Sequence, residues 1–366
     1  MTTRRDFIAL TAGALAASPL LSVAATGPAA IPPAGRSLSI LVLGGTGFLG
    51  PHQIEHAMAR GHQVTMFNRG SNPGMFGDAV EELTGNRDSK LDSGLSSLQG
   101  ERTWDVVIDN SGYVPRHVRD SAELLKDRCG RYLYISTVAV YDFDSGSVFP
   151  EDARLADLTD PSVEEVTSAT YGPLKAECDR VVRAILGDRC TVVRPTYVVG
   201  PGDHTDRFTY WVDRISRGGE VLAPAGPTRE AQWVDARDLC PWVVTLAEGN
   251  TPGIFNAAGP ASVVDNAGLM WGLRAQTAEP VRFHWPSDAL LTELDIDLPM
   301  MPIEDSAHFT NTASMAVGLR YRSLADTAAD TLAWWQNQPE ERRANPRRWP
   351  TAGQEKSAIE RIAAAG

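Results

Sequence analysis

The feature that most constrains this chain is the stretch SILVLGGTGFLG, in which an apolar run leads directly into a group of glycines. The glycines fit two spacings, G-x-x-G-x-x-G beginning at Gly44 and G-x-G-x-x-G beginning at Gly45. A strand that ends in such glycines and continues as a helix can turn sharply, let a pyrophosphate approach its backbone and direct free N–H groups toward it. The stretch therefore predicts a dinucleotide-binding turn. Its expected contacts with the dinucleotide are Gly44, Thr46, Gly47, Phe48 and Leu49.

The same stretch continues into His52-x-x-Glu55-His56, the spacing of an inverted zinc-protease motif. Two histidines four residues apart on a helix share a face, but the rest of the chain offers no evident third ligand. The start of this helix is also predicted to bind phosphate. We therefore predict no metal site, and we assign both histidines to the helix surface or to packing.

Beyond the glycines, short aliphatic runs alternate with amphipathic helical stretches. Strands that alternate with helices form parallel sheets, and strands this apolar need helices on both faces. We therefore predict an α/β fold, a Rossmann-type doubly wound parallel sheet with a smaller C-terminal substrate-binding lobe. The predicted strands are residues 39–44, 62–68, 105–110, 131–137 and 190–195, and the predicted helices begin near Phe48, Val118 and Tyr171.

Changes in composition and rhythm divide the chain into four segments. We expect a further strand-like run at 253–259 and a helix at 324–338. The charges and prolines of PEERRANPRRWP, which follows that helix, predict an extended rather than a packed chain. The segments are a signal and linker (1–36), a dinucleotide-binding domain (37–200), the substrate-binding lobe interleaved with the last sheet strands (201–340) and a charged tail (341–366).

The N-terminal residues differ from everything after them. Arg4 and Arg5 precede a polar residue, then Phe7 and a run free of charge, and Ser22-Val23-Ala24 offers small residues to a signal peptidase. This pattern is typical of a twin-arginine export signal. It predicts an exported, periplasmic protein with no stable membrane span once the signal is cleaved.

The acidic balance of the chain limits its partners. A formal net charge of −12 disfavours nucleic acid as a partner, because phosphate contacts need clustered Lys and Arg. One small anionic ligand in a local basic pocket remains compatible with it. We expect a small-molecule substrate as the partner and leave a homodimer open.

The four cysteines show no metal-ligand spacing. Cys129 and Cys190 each precede a predicted strand and could be neighbours at one edge of the sheet. Buried or free thiols are the favoured interpretation, with a disulfide between these two as the alternative.

Residues after three strands predict how the adenosine half of the dinucleotide is held. The second strand ends in Asn68-Arg69-Gly70 without the carboxylate that usually binds the ribose of NAD. Arg69 can pair with a 2′-phosphate, so we favour NADP over NAD as the cofactor. We place Asn86 and Arg87 near the adenine. The fourth strand ends in Asn110, Ser111 and Gly112, which we expect near the ribose or the pyrophosphate.

A second motif, Tyr171-Gly-Pro-Leu-Lys175, supplies candidate catalytic groups. Helical spacing puts the two side chains on one face, one turn apart. We expect the Lys175 ammonium to lower the pKa of the Tyr171 phenol from about 10 toward neutrality, so that the phenol can exchange a proton with a substrate hydroxyl. Ser136 and Thr137, at the end of the fifth strand, offer hydroxyls for the same substrate oxygen.

Together these segments resemble the extended short-chain dehydrogenase/reductase superfamily, which includes sugar-nucleotide epimerases and dehydratases. The resemblance covers roughly residues 38–260 and rests on GGTGFLG, the NSG at 110–112, YISTVAVY, YGPLK and VVRPTYVVGPGD. It implies that Tyr171 relays a proton and that Lys175 supports it and binds the nicotinamide ribose. It also implies that Thr137 is the catalytic hydroxyl, with Ser136 as the near alternative. Pro195, Thr196 and Tyr197 would approach the nicotinamide and the substrate.

The chain departs from the sugar-nucleotide members at one position. Ala231 stands where those members carry an arginine for the diphosphate, with Arg229 two residues away. The chain also resembles the atypical branch, which includes chloroplast RNA-binding proteins. Two hypotheses follow: an NAD(P)-dependent oxidoreductase, epimerase or dehydratase acting on a small, sugar-like substrate, or an exported cofactor-binding protein without turnover. Expected substrate contacts are Tyr113, Arg116, Asp203, His204 and Trp233.

Overall fold

The computed structural model describes residues 31–300 and 307–365, and from Pro33 onward the chain forms one compact unit. The predicted export signal therefore lies outside the described residues, apart from its linker. No helix in the described part of the chain is long and apolar enough to cross a membrane.

Seven parallel strands form the central sheet. In spatial order they are β11 (Gly253–Ala257), β7 (Cys190–Pro195), β5 (Cys129–Ile135), β4 (Trp104–Asp109), β1 (Ser39–Leu43), β2 (Gln63–Asn68) and β3 (Glu81–Thr84). The chain progresses outward in opposite directions from β1, through β2 on one side and β4 on the other. Ligands of such sheets bind at the carboxyl ends of the strands where the order reverses. The doubly wound fold expected from the sequence is confirmed.

Helices cover both faces of this sheet. On one face, α1 (Leu49–Ala59) packs with α5 (Ala236–Glu248). On the other face, α2 (Pro115–Leu125) packs with α3 (Tyr171–Leu186). The buried apolar residues of each pair contact opposite sides of the same strands, which explains why the strands read as continuously hydrophobic.

The remaining elements lie outside the seven-stranded sheet. The helices are α4 (Arg207–Ser216), α6 (Asn266–Arg274), α7 (Asp288–Glu293), α8 (Thr312–Ala316), α9 (Leu324–Gln336), α10 (Glu340–Ala344) and α11 (Ala352–Ala365). Short two-stranded pairs join β8 (Tyr197–Val199) to β10 (Trp233–Asp235), β9 (Gly219–Leu222) to β12 (Val281–His284), and β6 (Val148–Phe149) to β13 (His308–Phe309).

The C-terminal segment is packed, so the expectation of an extended tail is wrong. Its charged side chains find partners on α4 and on the loop before it. Arg342 forms an ion pair with the buried Asp206, and the Glu355 carboxylate accepts a hydrogen bond of 2.8 Å from Arg214. Trp349 donates through its indole N–H to the Asp206 carbonyl at 3.0 Å. The charge of Arg342, within the stretch expected to be extended, is therefore used in a tertiary contact, as is that of Glu355 in α11.

All four cysteines are buried free thiols, which is the favoured of the two interpretations. Burial raises the pKa of the Cys129 thiol to about 11 and that of Cys190 to about 12. Both residues therefore behave as small apolar side chains at the start of neighbouring strands.

Candidate functional site

A cavity of about 1360 Å³ opens at the carboxyl edge of the sheet, beside the point where the strand order reverses. The glycine turn after β1 lines one part of it, and the start of α3 lines another. Most of the residues predicted from the sequence line it together: Gly44, Thr46, Gly47, Phe48, Leu49, Asn68, Arg69, Asn86, Arg87, Asn110, Ser111, Ser136, Thr137, Tyr171, Lys175 and Pro195.

The glycines of the turn serve different purposes. Gly44 has φ +86°, a conformation that favours glycine. A Cβ on Gly50 would overlap the carbonyl oxygen of Gly45, so this glycine lets the helix approach the preceding turn. At Gly47 a Cβ would meet no protein atom closer than 4.0 Å, which leaves its backbone open to the cavity.

The start of α1 suits an anionic group. Among the described residues no side chain caps this helix, and no acidic residue lies in its first turn. Its first N–H groups are therefore available to a phosphate, and the open backbone at Gly47 gives the phosphate room. The residues present thus fit a dinucleotide pyrophosphate.

The end of β2 holds an acidic group that the sequence analysis missed. The Asn68 amide donates to the Glu82 carboxylate at 2.9 Å, and the Asn68 side-chain oxygen accepts from the Gly70 N–H. Arg69 is exposed at the cavity wall. Glu82 comes from β3, a strand that the sequence analysis did not delimit, and the β2–β3 pairing brings it here.

Arg87 lies at the cavity wall, but its guanidinium is already used. It binds the fully buried Asp109 carboxylate through two nitrogens at 2.6 and 2.9 Å, and it donates to the Ser121 hydroxyl at 3.0 Å. This pair holds the pKa of Asp109 below its usual value despite burial, which by itself acts in the opposite direction. Arg87 thus joins the turn after β3 to the end of β4.

Neighbouring Asn86 is also engaged. Its amide donates to Asp92 at 2.9 Å, and its side-chain oxygen accepts from the Asp88 N–H at 3.0 Å. Gly112 is absent from the cavity wall. Its carbonyl accepts hydrogen bonds from Tyr134 and Lys175, both at 2.7 Å.

The Tyr171 phenol lies beside Thr137, but its electrostatics differ from the expectation. Burial raises the pKa of Tyr171 to about 12, with a smaller effect in the same direction from Tyr113, while a hydrogen bond with Thr137 and the charge of Arg207 lower it. The expected shift toward neutrality is therefore wrong for the protein without a cofactor. Lys175 does not counteract burial here.

Lys175 is buried and donates to two backbone carbonyls. Its ammonium lies 2.7 Å from the Gly112 oxygen and 2.8 Å from the Ile135 oxygen, and it stands 4.3 Å above the Tyr134 ring. Burial lowers the pKa of Lys175. The lysine therefore ties the end of β5 to the end of β4 at the floor of the site.

Gly172 brings the catalytic candidates together, and the sequence analysis overlooked it. A Cβ at this position would overlap the carbonyl oxygen of Ala139, so the first turn of α3 can approach the segment after Thr137 only with glycine here. The sequence could have indicated this close approach, because glycine is unfavourable in a helix and its presence there suggests a packing requirement.

Ser136 faces a different environment from Thr137. It lies beside the Asp179 carboxylate, which a buried ion pair joins to Arg194 at 2.9 Å. Arg194 also donates to the Tyr141 hydroxyl and to the Glu151 carbonyl. Of the two candidate hydroxyls, Thr137 is the one beside the Tyr171 phenol.

The expected substrate contacts divide into two groups. Tyr113 and His204 line the cavity. Arg116 is instead held by Asp88 and Glu164, and Trp233 and Asp203 are buried away from the cavity wall. These three are therefore not cavity contacts, because ion pairing or packing turns them elsewhere.

The structure also shows where Arg229 and His52 lie and whether a metal site forms near them. The Arg229 guanidinium forms an ion pair with Asp288, and Arg229 does not line the cavity. The His52 ring nitrogen lies 3.1 Å from the Pro201 carbonyl oxygen, so His52 contacts the loop before α4. Within residues 31–300 and 307–365, no three His, Cys, Asp or Glu side chains gather as a metal site would need.

A comparison with protein families matches residues 40–258 to the NAD dependent epimerase/dehydratase family. The chain belongs to this family. The matched range runs from β1 to the end of β11, and so includes the glycine turn, Thr137, Tyr171 and Lys175. The C-terminal helices lie beyond it.

Individual relatives are distant. The chain is 27% identical to the chloroplast stem-loop binding protein of 41 kDa b from Arabidopsis thaliana over 60% of this chain, and it spans 58% of the length of that protein. It is 24% identical to the epimerase family protein SDR39U1 from Bos taurus, over 78% of this chain and 95% of that protein.

A solved structure shows the same fold. The UDP-glucuronic acid 4-epimerase from Bacillus cereus, crystallised in complex with NAD, superposes with a TM-score of 0.60 at 15% identity, over 81% of this chain and 98% of that one.

Proposed function

We propose that this protein is an NAD(P)-dependent oxidoreductase or epimerase that transfers a hydride at a carbinol or carbonyl carbon of a small substrate. The observation that carries the proposal is the Tyr171 phenol beside the Thr137 hydroxyl, in the same cavity as the uncapped start of α1. A family fold alone does not assign an activity, so the proposal rests on these side chains.

In this proposal each side chain has one task. Tyr171 exchanges a proton with the substrate oxygen through its hydroxyl, and Thr137 orients that oxygen. Lys175 holds the carbonyls of Gly112 and Ile135 in place, with one N–H left to reach a ribose hydroxyl. The bound nicotinamide would supply hydride transfer.

The NADP preference is part of the proposal and rests on Arg69. Glu82 opposes it, because a carboxylate joined to Asn68 repels a 2′-phosphate at the end of β2. NAD is the cofactor in the crystallised epimerase named above. Titration calorimetry with NAD and NADP tests the preference: Arg69→Ala should weaken only NADP binding, and Glu82→Gln should strengthen only NADP binding.

The proposed activity is tested in two steps. Mass spectrometry of the purified folded protein identifies a co-purified cofactor, and a panel of alcohols and carbonyl compounds is then screened for hydride transfer by cofactor absorbance. Tyr171→Phe should abolish turnover while the cofactor still binds. The matched control is Tyr210→Phe, since Tyr210 is buried outside the cavity and its hydroxyl has no partner among the described residues. Equal turnover in both variants would show that Tyr171 is not the proton donor.

The second candidate is a cofactor-binding protein without turnover. The observation that favours it is the raised pKa of Tyr171, which leaves the phenol a poor base in the cofactor-free protein. Tight cofactor binding with no redox change across the panel would support this candidate over the enzyme.

Export through the twin-arginine route also belongs to this proposal. Its support is the sequence pattern at Arg4 and Arg5. Replacing both arginines with lysine should retain the protein in the cytoplasm, whereas periplasmic recovery of that variant would argue against the route.

A further inference from the structure

Arg207 is a cation at the catalytic end of the cavity that no prediction from the sequence used. It is the first residue of α4 and lines the same cavity as Tyr171, Thr137 and Tyr197. Burial raises the pKa of Tyr171 and that of Tyr113, and the positive charge of Arg207 acts in the opposite direction on both.

The Arg207 side chain is held in place from one side. Its Nε donates to the Thr205 hydroxyl at 2.9 Å, and that hydroxyl donates to the Asp203 carboxylate at 2.6 Å. The guanidinium carbon lies 4.8 Å from the centre of the Tyr197 ring. The two terminal nitrogens of Arg207 have no hydrogen-bond or ion-pair partner among residues 31–300 and 307–365. A fixed guanidinium with both terminal nitrogens available matches a carboxylate or a phosphate.

Three other charged groups of the cavity wall are engaged elsewhere, while Arg69 lies exposed at the end of β2. Arg87 is paired with Asp109, and Asp142 is paired with Arg154. Lys175 donates to backbone carbonyls. Arg207 therefore differs from these three groups, because neither of its terminal nitrogens has a partner among the described residues.

We propose that the substrate carries an anionic group, a carboxylate or a phosphate, which binds both terminal nitrogens of Arg207 while a neighbouring hydroxyl or carbonyl oxygen meets Tyr171 and Thr137. This inference rests on the proposed function, and it makes Arg207 the residue that determines the substrate class. Two parallel hydrogen bonds also orient the substrate, because a bidentate pair fixes both the position and the plane of the anion.

The test measures anion binding by calorimetry in protein saturated with NAD, which covers the glycine turn. The probes are lactate as a carboxylate, inorganic phosphate, and lactamide as the neutral counterpart of lactate. One of the anions should bind at least about tenfold more tightly than lactamide, and Arg207→Gln should remove that difference. Arg207→Lys should restore part of the difference in affinity, since lysine keeps the positive charge but lacks the planar pair of donors of the guanidinium.

The control is Arg217→Gln, at the other end of α4, where the side chain is exposed and paired with Asp213. It should bind the anions like the original protein. If neither anion binds better than lactamide, or if Arg207→Gln binds them as well as the original protein does, the proposal is wrong. Arg207-dependent binding in a protein without turnover would refute the proposed activity alone. If turnover is observed and Arg207→Gln binds the anions as tightly as the original protein does, only the role of Arg207 is refuted.

Discussion

At the scale of single residues, the state of Tyr171 decides what the site can do. Burial keeps its phenol protonated over the whole neutral range, since its pKa is raised to about 12. A protonated phenol can donate a proton to a carbonyl oxygen at once, but it needs another positive charge nearby to act as a base.

This gives a prediction for the cofactor-free protein. The difference in near-ultraviolet absorbance between the original protein and Tyr171→Phe should show no phenolate up to about pH 10, the ordinary pKa of tyrosine. Because the pKa in the folded state is the higher one, the neutral phenol stabilises the fold below about pH 10. That contribution declines as the pH rises toward 12. Ionisation of this phenol near pH 8 would contradict the prediction.

The residues that the sequence revealed are those that belong to local patterns. The glycine turn lies within one strand–turn–helix unit and the Tyr171–Lys175 pair lies within one helix, so spacing alone brings the members of each together. Glu82 is brought to Asn68 at the end of β2 only by strand pairing, and Arg207 is brought to the cavity only by the loop before α4. No local spacing links them to the motifs, and this is why the sequence did not identify them.

At the scale of elements, one glycine of the turn serves helix packing and another serves ligand binding. Gly50 lets α1 approach the turn, whereas Gly47 leaves space for the ligand. Alanine at Gly50 must displace backbone, so Gly50→Ala should lower the free energy of unfolding by about 1–3 kcal/mol. Gly47→Ala should change stability little, but its methyl group enters the space of the pyrophosphate and should weaken NAD binding at least about tenfold.

Urea unfolding and NAD calorimetry on both variants check this pair. The matched design matters because the same change of side chain is made three residues apart. A stability loss at Gly47 as large as that at Gly50 would mean that both glycines serve packing.

Most strands and helices could be predicted from the sequence. There are physical reasons why the others could not. The predicted strand at 190–195 has the observed bounds, and those at 39–44 and 131–137 end within two residues of the observed ones. β3 is short, polar and only partly buried, so it carries no apolar run to mark it. α10 contacts Asp206, just before α4, through Arg342, and α11 contacts α4 through the Arg214–Glu355 pair, so both are placed by residues far away in the sequence.

At the scale of the whole molecule, the C-terminal segment connects to the site through Asp206. This buried carboxylate has φ +58° and immediately precedes Arg207. It is held by the Arg342 guanidinium and by the Arg347 N–H at 2.9 Å. The last helices, which lie beyond the range matched to the family, thus fix the start of the helix that carries Arg207.

Arg342→Ala tests this connection. It leaves a buried carboxylate with one fewer donor, so the free energy of unfolding should fall by about 1–3 kcal/mol. Anion binding should weaken because Arg207 loses its support, while NAD affinity should stay unchanged because the glycine turn is built by other elements. The control is Arg343→Ala, since that exposed side chain donates, within the part of the chain that the structure describes, only to the Gln338 carbonyl. Equal effects of the two variants on anion binding would show that the C-terminal segment stabilises the fold without positioning Arg207.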